Sequence, residues 1–191
     1  LLTCIVLVLP GKISSQSLVF NRQDTLRGSI TPERAWWNLT YYHLDITVNP
    51  SDSTIFGTNT VTYRVINPAN LMHLDLQEPM TLTAAIQNSK VLKFKREGNV
   101  YWIELEEKQE QGKAYLVVLR YEGKPRISKR PPWVGGITWS KDNNGLPFIA
   151  SACQGDGASL WWPCKDHMYD EPDSMLISVN VPDYLMDVSN G

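Results

Sequence analysis

Histidine and cysteine are scarce in this sequence, with three of each among 191 residues. The H-E-x-x-H pattern, which places two zinc-binding histidines on one face of a helix, is absent. The G-x-S-x-G turn of serine hydrolases and the G-x-G-x-x-G loop of dinucleotide-binding proteins are also absent. We therefore expect neither catalytic residues nor metal ligands within this chain.

The sequence also lacks a large net charge and a long apolar run. The formal net charge is −2, from 18 basic and 20 acidic residues, and the basic residues form no stripe that would bind nucleic acid. A helix needs about 20 apolar residues to cross a bilayer, and no run approaches that length. We therefore expect no nucleic-acid partner and no transmembrane segment.

The first residues combine a short apolar run with small residues. Residues 1–9 are mostly apolar, and Pro10, Gly11 and several serines follow them. This pattern is typical of the core and cleavage region of a secretory signal peptide. Residues 1–15 are accordingly predicted to be a signal peptide clipped at its start. The protein is then exported, to the periplasm, the cell surface or the extracellular space. A buried first strand is the alternative interpretation.

The remaining sequence divides into a leader and a longer domain. Residues 16–35 are polar and mixed, which predicts an extended leader with a short helical turn beginning at Thr31 and Pro32. Residues 36–191 are predicted to form one domain that is truncated at its C-terminal end. The reason is the final Asn-Gly pair, which is a strong hairpin signal without a returning strand. We therefore expect a fragment.

Apolar and polar residues alternate with a period of two along most of this domain, as in strands with one face on a core. Turn residues separate the alternating segments, so the sequence predicts an all-β fold, either an antiparallel β-sandwich or a curved sheet. Residues 124–146 are rich in proline, glycine and asparagine, which predicts that they are largely loop. The alternating segments are residues 43–48, 60–65, 101–106, 115–121 and 175–181.

One acidic stretch has the residue types of a metal site. Asp166, His167, Asp170 and Glu171 could bind a divalent ion through carboxylate and imidazole groups. Neighbouring residues in one stretch rarely converge on one ion, however. We therefore favour a solvated acidic loop and predict no metal site here.

The isolated histidines and cysteines are expected to be structural. His43 lies in an alternating segment, and His73 lies between the apolar residues Met72 and Leu74. Both positions favour surface histidines or strand histidines with satisfied hydrogen bonds. If Cys4 leaves with the signal peptide, Cys153 and Cys164 remain as a pair. They could form a disulfide in an oxidising compartment or remain two buried thiols.

The most unusual stretch of the sequence is ACQGDGASLWWPCKDHMYDEPD, which begins at residue 152. Gly155 and Gly157 would let the backbone approach another group closely. Gln154 offers both a hydrogen-bond donor and an acceptor. The adjacent tryptophans would place one ring on each face of a strand. The stretch could be a bulged strand in a core or an edge that faces a ligand.

At this stretch the sequence resembles the amino-terminal domain of M1 zinc aminopeptidases, the family that includes leukotriene A4 hydrolase and aminopeptidase N. The resemblance rests on Gln154, followed at the right spacing by the W-P-C-K-D element that ends at Asp166. Residues 42–46, 71–76 and 121–123 resemble strands of the same domain, so the likeness covers roughly residues 36–191. Ala158-Ser159 and the paired tryptophans depart from the family pattern.

The resemblance implies a saddle-shaped β-domain that packs on a catalytic domain later in the same chain. Gln154, Gly155, Asp156 and Gly157 would then line the substrate cleft near the free amino end of a peptide. Zinc, its ligands and the general base would belong to the following domain.

Three functions are consistent with the sequence. The first is a non-catalytic, substrate-binding domain of a zinc-dependent aminopeptidase, inactive by itself. The second is a stand-alone exported β-sandwich module that binds a glycan or a protein. The third is a structural β-domain in which Gln154 is buried away from any concave surface.

Overall fold

The computed structural model describes residues 19–189 and contains mainly β-strands. Two helices come first, α1 (Arg22–Gly28) and α2 (Pro32–Ala35). The strands are β1 (Trp37–Asn49), β2 (Thr54–Val65), β3 (Leu71–Asp75), β4 (Thr81–Gln87), β5 (Lys90–Val91), β6 (Lys93–Glu97), β7 (Val100–Glu104), β8 (Ala114–Gly123), β9 (Gly136–Lys141), β10 (Pro147–Ala152) and β11 (Ser174–Asn180). A 3₁₀ helix, Ala158–Leu160, lies between the last two strands. No helix in this described part is long and apolar enough to cross a membrane.

The strands form three sheets. The largest has the order β11-β1-β2-β8-β4-β5, and a three-stranded sheet has the order β3-β7-β6. One apolar core joins these two sheets, because alternate residues of each point into it. In β1, for example, Tyr42, Leu44 and Ile46 are buried, as the alternation predicts. The predicted all-β fold with a curved sheet is confirmed.

One strand pair differs from the antiparallel arrangement expected. β11 pairs with β1 in parallel, with Tyr41 opposite Ser174 and Thr47 opposite Asn180. The long connection between β10 and β11 brings the chain back to the same end of the sheet from which β1 starts. Alternation reports which face of a strand is buried but not its direction, so the sequence could not show this.

The leader, expected to be extended before Thr31, contains helix α1. Asn21 forms a capping box in which its side chain accepts from the amides of Gln23 and Asp24, while Asp24 accepts from the Asn21 amide. Leu26 is buried and anchors the helix to the domain. The helix was missed because seven residues are too few to show helical periodicity. The short helix at Pro32 is confirmed, with Thr31 in the N-cap position.

Residues 124–146, expected to be largely loop, contain a strand as well. β9 pairs with β10 in a two-stranded antiparallel sheet. Ile137 is buried at the start of this hairpin, and Trp139 packs partly against the core. The many turn residues around this short strand concealed its alternation. The irregular parts of this stretch are therefore the residues before Gly136 and the turn at residues 142–146.

The largest sheet needs a glycine where β1 and β2 pair. Gly57 lies opposite Ile46. A Cβ atom at Gly57 would overlap the carbonyl oxygen of Asp45 and lie 2.8 Å from the Cα atom of Ile46. Because both neighbours are backbone atoms of a paired strand, neither can move without disturbing the sheet.

We expect Gly57→Ala to lower the free energy of unfolding by about 1–3 kcal/mol, the usual cost of overpacking. Gly28→Ala is the control, because nothing lies within 4 Å of a Cβ atom at Gly28. Urea denaturation of both variants tests the prediction. Equal urea midpoints for Gly57→Ala and Gly28→Ala would contradict it, because they would show that a methyl group fits between β1 and β2 at Gly57.

Candidate functional site

The stretch singled out from the sequence forms a tight turn and not a strand. The amides of Asp156 and Gly157 both donate to the carbonyl oxygen of Cys153, at 3.1 and 2.8 Å. Gly155 and Gly157 have φ angles of 73° and 86°, in the left-handed region that favours glycine. We refer to residues 153–157 as the glycine turn.

Gln154 lies at the exposed tip of the glycine turn. Among the described residues, its side chain forms no hydrogen bond, so the amide is available to a ligand. This placement excludes burial of Gln154 in the core, which the purely structural hypothesis required. Gly155, also exposed, follows it at the tip.

Asp156 uses its side chain to fix the turn to the neighbouring loop. Its Oδ2 atom accepts from the amide of Gly135 at 2.8 Å, and its Oδ1 atom lies 2.9 Å from Nη2 of Arg126. The Gly135 amide, and then Arg126, hold the pKa of Asp156 below its ordinary value. The Asp156 carbonyl accepts from Nε2 of Gln77 at 2.6 Å. Of the four predicted site residues, Asp156 therefore has the clearest structural role.

Gly157 lets two parts of the stretch pack together. A Cβ atom there would overlap the carboxylate of Asp166. Oδ2 of Asp166 accepts from both the amide and the hydroxyl of Ser159, at the start of the 3₁₀ helix. Any side chain at Gly157 would displace this carboxylate, so the glycine is needed for close approach.

A cleft of about 840 Å³ lies beside the glycine turn. Gly155 and Gly157 line it, whereas Gln154 and Asp156 do not. Asp24 and Arg27 of α1 also line it. Other lining residues are Leu39, Tyr42, Trp162, Cys164, Lys165, Asp166, His167, Asp170 and Glu171.

A buried ionic cluster supports the W-P-C-K-D element. We call it the Arg34 cluster, and it is formed by Arg34, His73 and Asp75. Nη2 of Arg34 lies 2.9 Å from each carboxylate oxygen of Asp75 and 2.8 Å from Nε2 of His73. The Arg34 and His73 side chains are fully buried. Oδ2 of Asp75 also accepts from the amide of Asp166 at 3.0 Å, so the cluster holds the W-P-C-K-D element in place.

A second buried ion pair, Lys165 with Asp170, also borders the cleft. Nζ of Lys165 pairs with Asp170, donates to the carbonyl oxygen of Trp37 and lies 4.1 Å from the centre of the Trp37 ring. Burial lowers the pKa of Lys165 to about 8, against the opposing effect of Asp170. A lysine with this pKa is mostly protonated at neutral pH and loses its proton around pH 8.

Comparison with known proteins finds similarity in structure alone. No protein-family model and no curated protein matches this sequence. A variant of the M1 zinc metallopeptidase from Deinococcus radiodurans matches with a TM-score of 0.64 and 25% identity, over 82% of this chain and 35% of that one. The complex of that variant with a Tyr-Ser-Ala substrate matches with a TM-score of 0.64 and 24% identity, over 82% and 36%. Leukotriene A4 hydrolase from Saccharomyces cerevisiae matches with a TM-score of 0.62 and 16% identity, over 78% and 24%.

This chain has the fold of the amino-terminal domain of M1 zinc metallopeptidases. It spans about a third of the length of the Deinococcus enzyme structures that it matches. The resemblance seen in the sequence is thereby confirmed at the level of the fold.

The side chains of the acidic stretch around His167 contact other protein groups. Asp170 pairs with Lys165, and Asp166 accepts from Ser159. Nε2 of His167 lies 3.2 Å from the carbonyl oxygen of Gly28. Within residues 19–189, no three histidine, cysteine or acidic side chains are grouped so as to hold a metal ion.

The cysteines and tryptophans of the stretch pack without forming a disulfide or a strand. Cys153 and Cys164 are free thiols, and burial raises the pKa of both. Trp161 and Trp162, expected on opposite faces of a strand, follow the 3₁₀ helix with ring centres 6.4 Å apart. Trp162 packs edge-on against Tyr42 at 5.1 Å.

Sequence reasoning missed the Arg34 cluster. His73 was expected at the surface or in a strand with satisfied hydrogen bonds, and it is fully buried, so only the second interpretation holds. The available signal was Asp75, a carboxylate within the apolar run of β3, because a buried carboxylate requires a cationic partner. Which cation supplies that partner depends on the tertiary structure.

We expect Asp75→Asn to lower the free energy of unfolding by about 3–5 kcal/mol, because Arg34 would remain buried without its counter-charge. Glu97→Gln is the control, since it breaks an ion pair with Arg22 at the surface and surface pairs contribute little. Urea denaturation compares the two. Similar small losses would contradict a structural role for the cluster.

Lys165 also makes stability depend on pH in a defined direction. Its pKa is about 8 in the folded chain against the ordinary 10.5, so the unfolded chain holds more protons between these values. The free energy of unfolding of the unsubstituted chain should therefore rise relative to that of Lys165→Met as the pH increases from 8 towards 10.5. Urea denaturation at several pH values measures this difference. Parallel profiles would show that Lys165 keeps an ordinary pKa.

Proposed function

We propose that this chain is the non-catalytic amino-terminal domain of a zinc-dependent M1 aminopeptidase, whose parent enzyme hydrolyses N-terminal residues from peptides. The observation that carries the proposal is the match to the Deinococcus M1 zinc metallopeptidase over 82% of this chain. The complex of that enzyme with a tripeptide supports peptides as the substrate class.

The glycine turn would bind the amino end of the peptide. A protonated amino group needs hydrogen-bond acceptors, and the exposed amide of Gln154 offers its carbonyl oxygen. Gly155 and Gly157 border the cleft without side chains, so a peptide backbone could lie close to them. Asp156 would act indirectly, by fixing the turn to Gly135 and Arg126.

Zinc belongs to the proposed parent and not to this domain. The sequence has no H-E-x-x-H motif, and residues 19–189 contain no group suited to a metal ion. In the parent, zinc bound by the following domain would activate water for hydrolysis. The residues of this chain would bind and orient the peptide.

Exposed apolar side chains near the glycine turn in the fold are available for contact with that following domain. Ile127, Trp133 and Phe148 are 63%, 69% and 54% exposed. They lie on the loop and hairpin that Asp156 ties to the turn through Gly135. Exposed large apolar side chains close to a cleft are typical of an interface.

Export of the protein remains a proposal based on the sequence. The apolar run that predicts a signal peptide lies outside the described residues. Residues 16–35 as leader and residues 36–191 as one truncated domain likewise remain predictions.

The alternative of a glycan-binding module has less support. A row of exposed tryptophans would support such a module. Trp133 is the one exposed residue among the seven tryptophans, all of which lie in the described part of the chain. Trp36, Trp37 and Trp162 are buried in the core. The structure therefore favours the peptide-cleft hypothesis over glycan binding.

In the intact parent enzyme, Gln154→Ala should raise the KM for peptides about threefold to tenfold, because one hydrogen bond to a charged amino group is lost. Its zinc content should not change. Gln111→Ala is the matched control, since Gln111 is an exposed glutamine in the turn before β8. Peptide hydrolysis and metal analysis measure both quantities. Equal KM values in the unsubstituted enzyme and in Gln154→Ala would contradict the proposed role of Gln154.

A further inference from the structure

Helix α1 contacts the glycine turn directly, although the two are far apart in sequence. Nη2 of Arg27 donates to the carbonyl oxygen of Gly155 at 3.0 Å, across 128 positions of the chain. Asp24, Arg27 and Gly28 also line the same cleft as Gly155. The leader is therefore part of the wall of the proposed substrate site.

The base and the tip of the glycine turn are held unequally. Asp156 and Gly157 form the base, where the bonds to Cys153, Gly135 and Gln77 fix the backbone. At the tip, the carbonyl oxygen of Gly155 accepts a hydrogen bond from Arg27. Gly155 has a φ angle of 73° and, as a glycine, wide conformational freedom. The hydrogen bond from Arg27 therefore limits the movement of the tip.

Helix α1 is itself anchored at its C-terminal end, which makes Arg27 a fixed support. Nη1 of the buried Arg34 donates to the carbonyl oxygens of Arg27 and Ser29, at 3.3 and 2.7 Å. His167 contacts the carbonyl oxygen of Gly28 at 3.2 Å. The buried Arg34 guanidinium thus binds both the end of α1 and the carboxylate of Asp75.

The N-terminal half of α1 is anchored separately. Arg22 forms an ion pair with Glu97 at 2.9 Å, and Oε1 of Gln23 accepts from the amide of Asn99 at 3.4 Å. These contacts lie on the β6–β7 side of the helix, away from the glycine turn. A substitution at Arg27 can therefore test the contact with the turn while the helix stays in place.

We propose that Arg27 is a positioning residue: it holds the carbonyl of Gly155, and so orients the tip that carries Gln154. The leader helix then belongs to the substrate site and does not merely connect a preceding segment to the β-domain. The effect of Arg27 on peptide binding rests on the proposed function. Its effect on the geometry of the turn does not.

Hydrogen exchange of the intact protein tests the effect on the turn. In Arg27→Met, the amides of Asp156 and Gly157 should exchange about threefold to tenfold faster, because their hydrogen bonds to Cys153 close the same turn whose tip Arg27 holds. Arg22→Met, in the same helix, is the matched control and should leave this exchange unchanged. Arg27→Lys should restore part of the protection through its ammonium group. Equal exchange in Arg27→Met and Arg22→Met would overturn the proposal.

Kinetics of the intact enzyme test the effect on binding. Arg27→Met should raise the KM for peptides about threefold to tenfold and change kcat little, because a displaced tip weakens binding without touching the chemistry. Faster exchange together with an unchanged KM would overturn the role in substrate binding. If the parent protein hydrolyses no peptide, the proposed function fails, and the exchange measurement still decides whether Arg27 holds the turn.

Discussion

The buried pairing of Arg34 with Asp75 is the interaction on which the rest of the structure depends. Two charges removed from water must satisfy each other, and their remaining hydrogen bonds must go to nearby polar groups. Asp75 uses this capacity to bind the amide of Asp166, while Arg34 binds two carbonyls at the end of α1. The leader helix, strand β3 and the W-P-C-K-D element thus converge on one ion pair. Loss of either charge would affect all three.

Most titratable side chains around the glycine turn hold the fold together: Asp156 holds Gly135, Asp166 holds Ser159, and Lys165 holds the carbonyl of Trp37. Both thiols have raised pKa values, which suppress the reactive thiolate. An exposed amide at Gln154, two glycines and an adjoining cleft remain for a ligand. This division of roles suits a domain that supplies substrate contacts to chemistry located elsewhere.

Strands and helices were predictable to different degrees, for physical reasons. A strand with one face on a core must alternate, so β1, β2, β7, β8 and β11 are visible in the sequence. Helix α1 and strand β9 were missed, because a short element shows little periodicity and its capping or turn residues resemble loop. Strands β4, β5, β6 and β10 were not predicted either. The glycine turn was recognised as unusual from its composition. Its conformation and its contacts with Arg27 and Gly135 were not predictable, because those partners lie far away in the chain.

The sequence by itself determined that the domain is rich in strands, which faces of those strands are buried, and that chemistry-bearing motifs are absent. These properties follow from local periodicity and residue type. Only the tertiary structure decided the parallel pairing of β11 with β1, the burial of His73 beside Arg34 and the support of Gly155 by Arg27. Each of these joins residues separated by many positions. Such contacts depend on how the whole chain closes around its core, and local sequence patterns do not encode that closure.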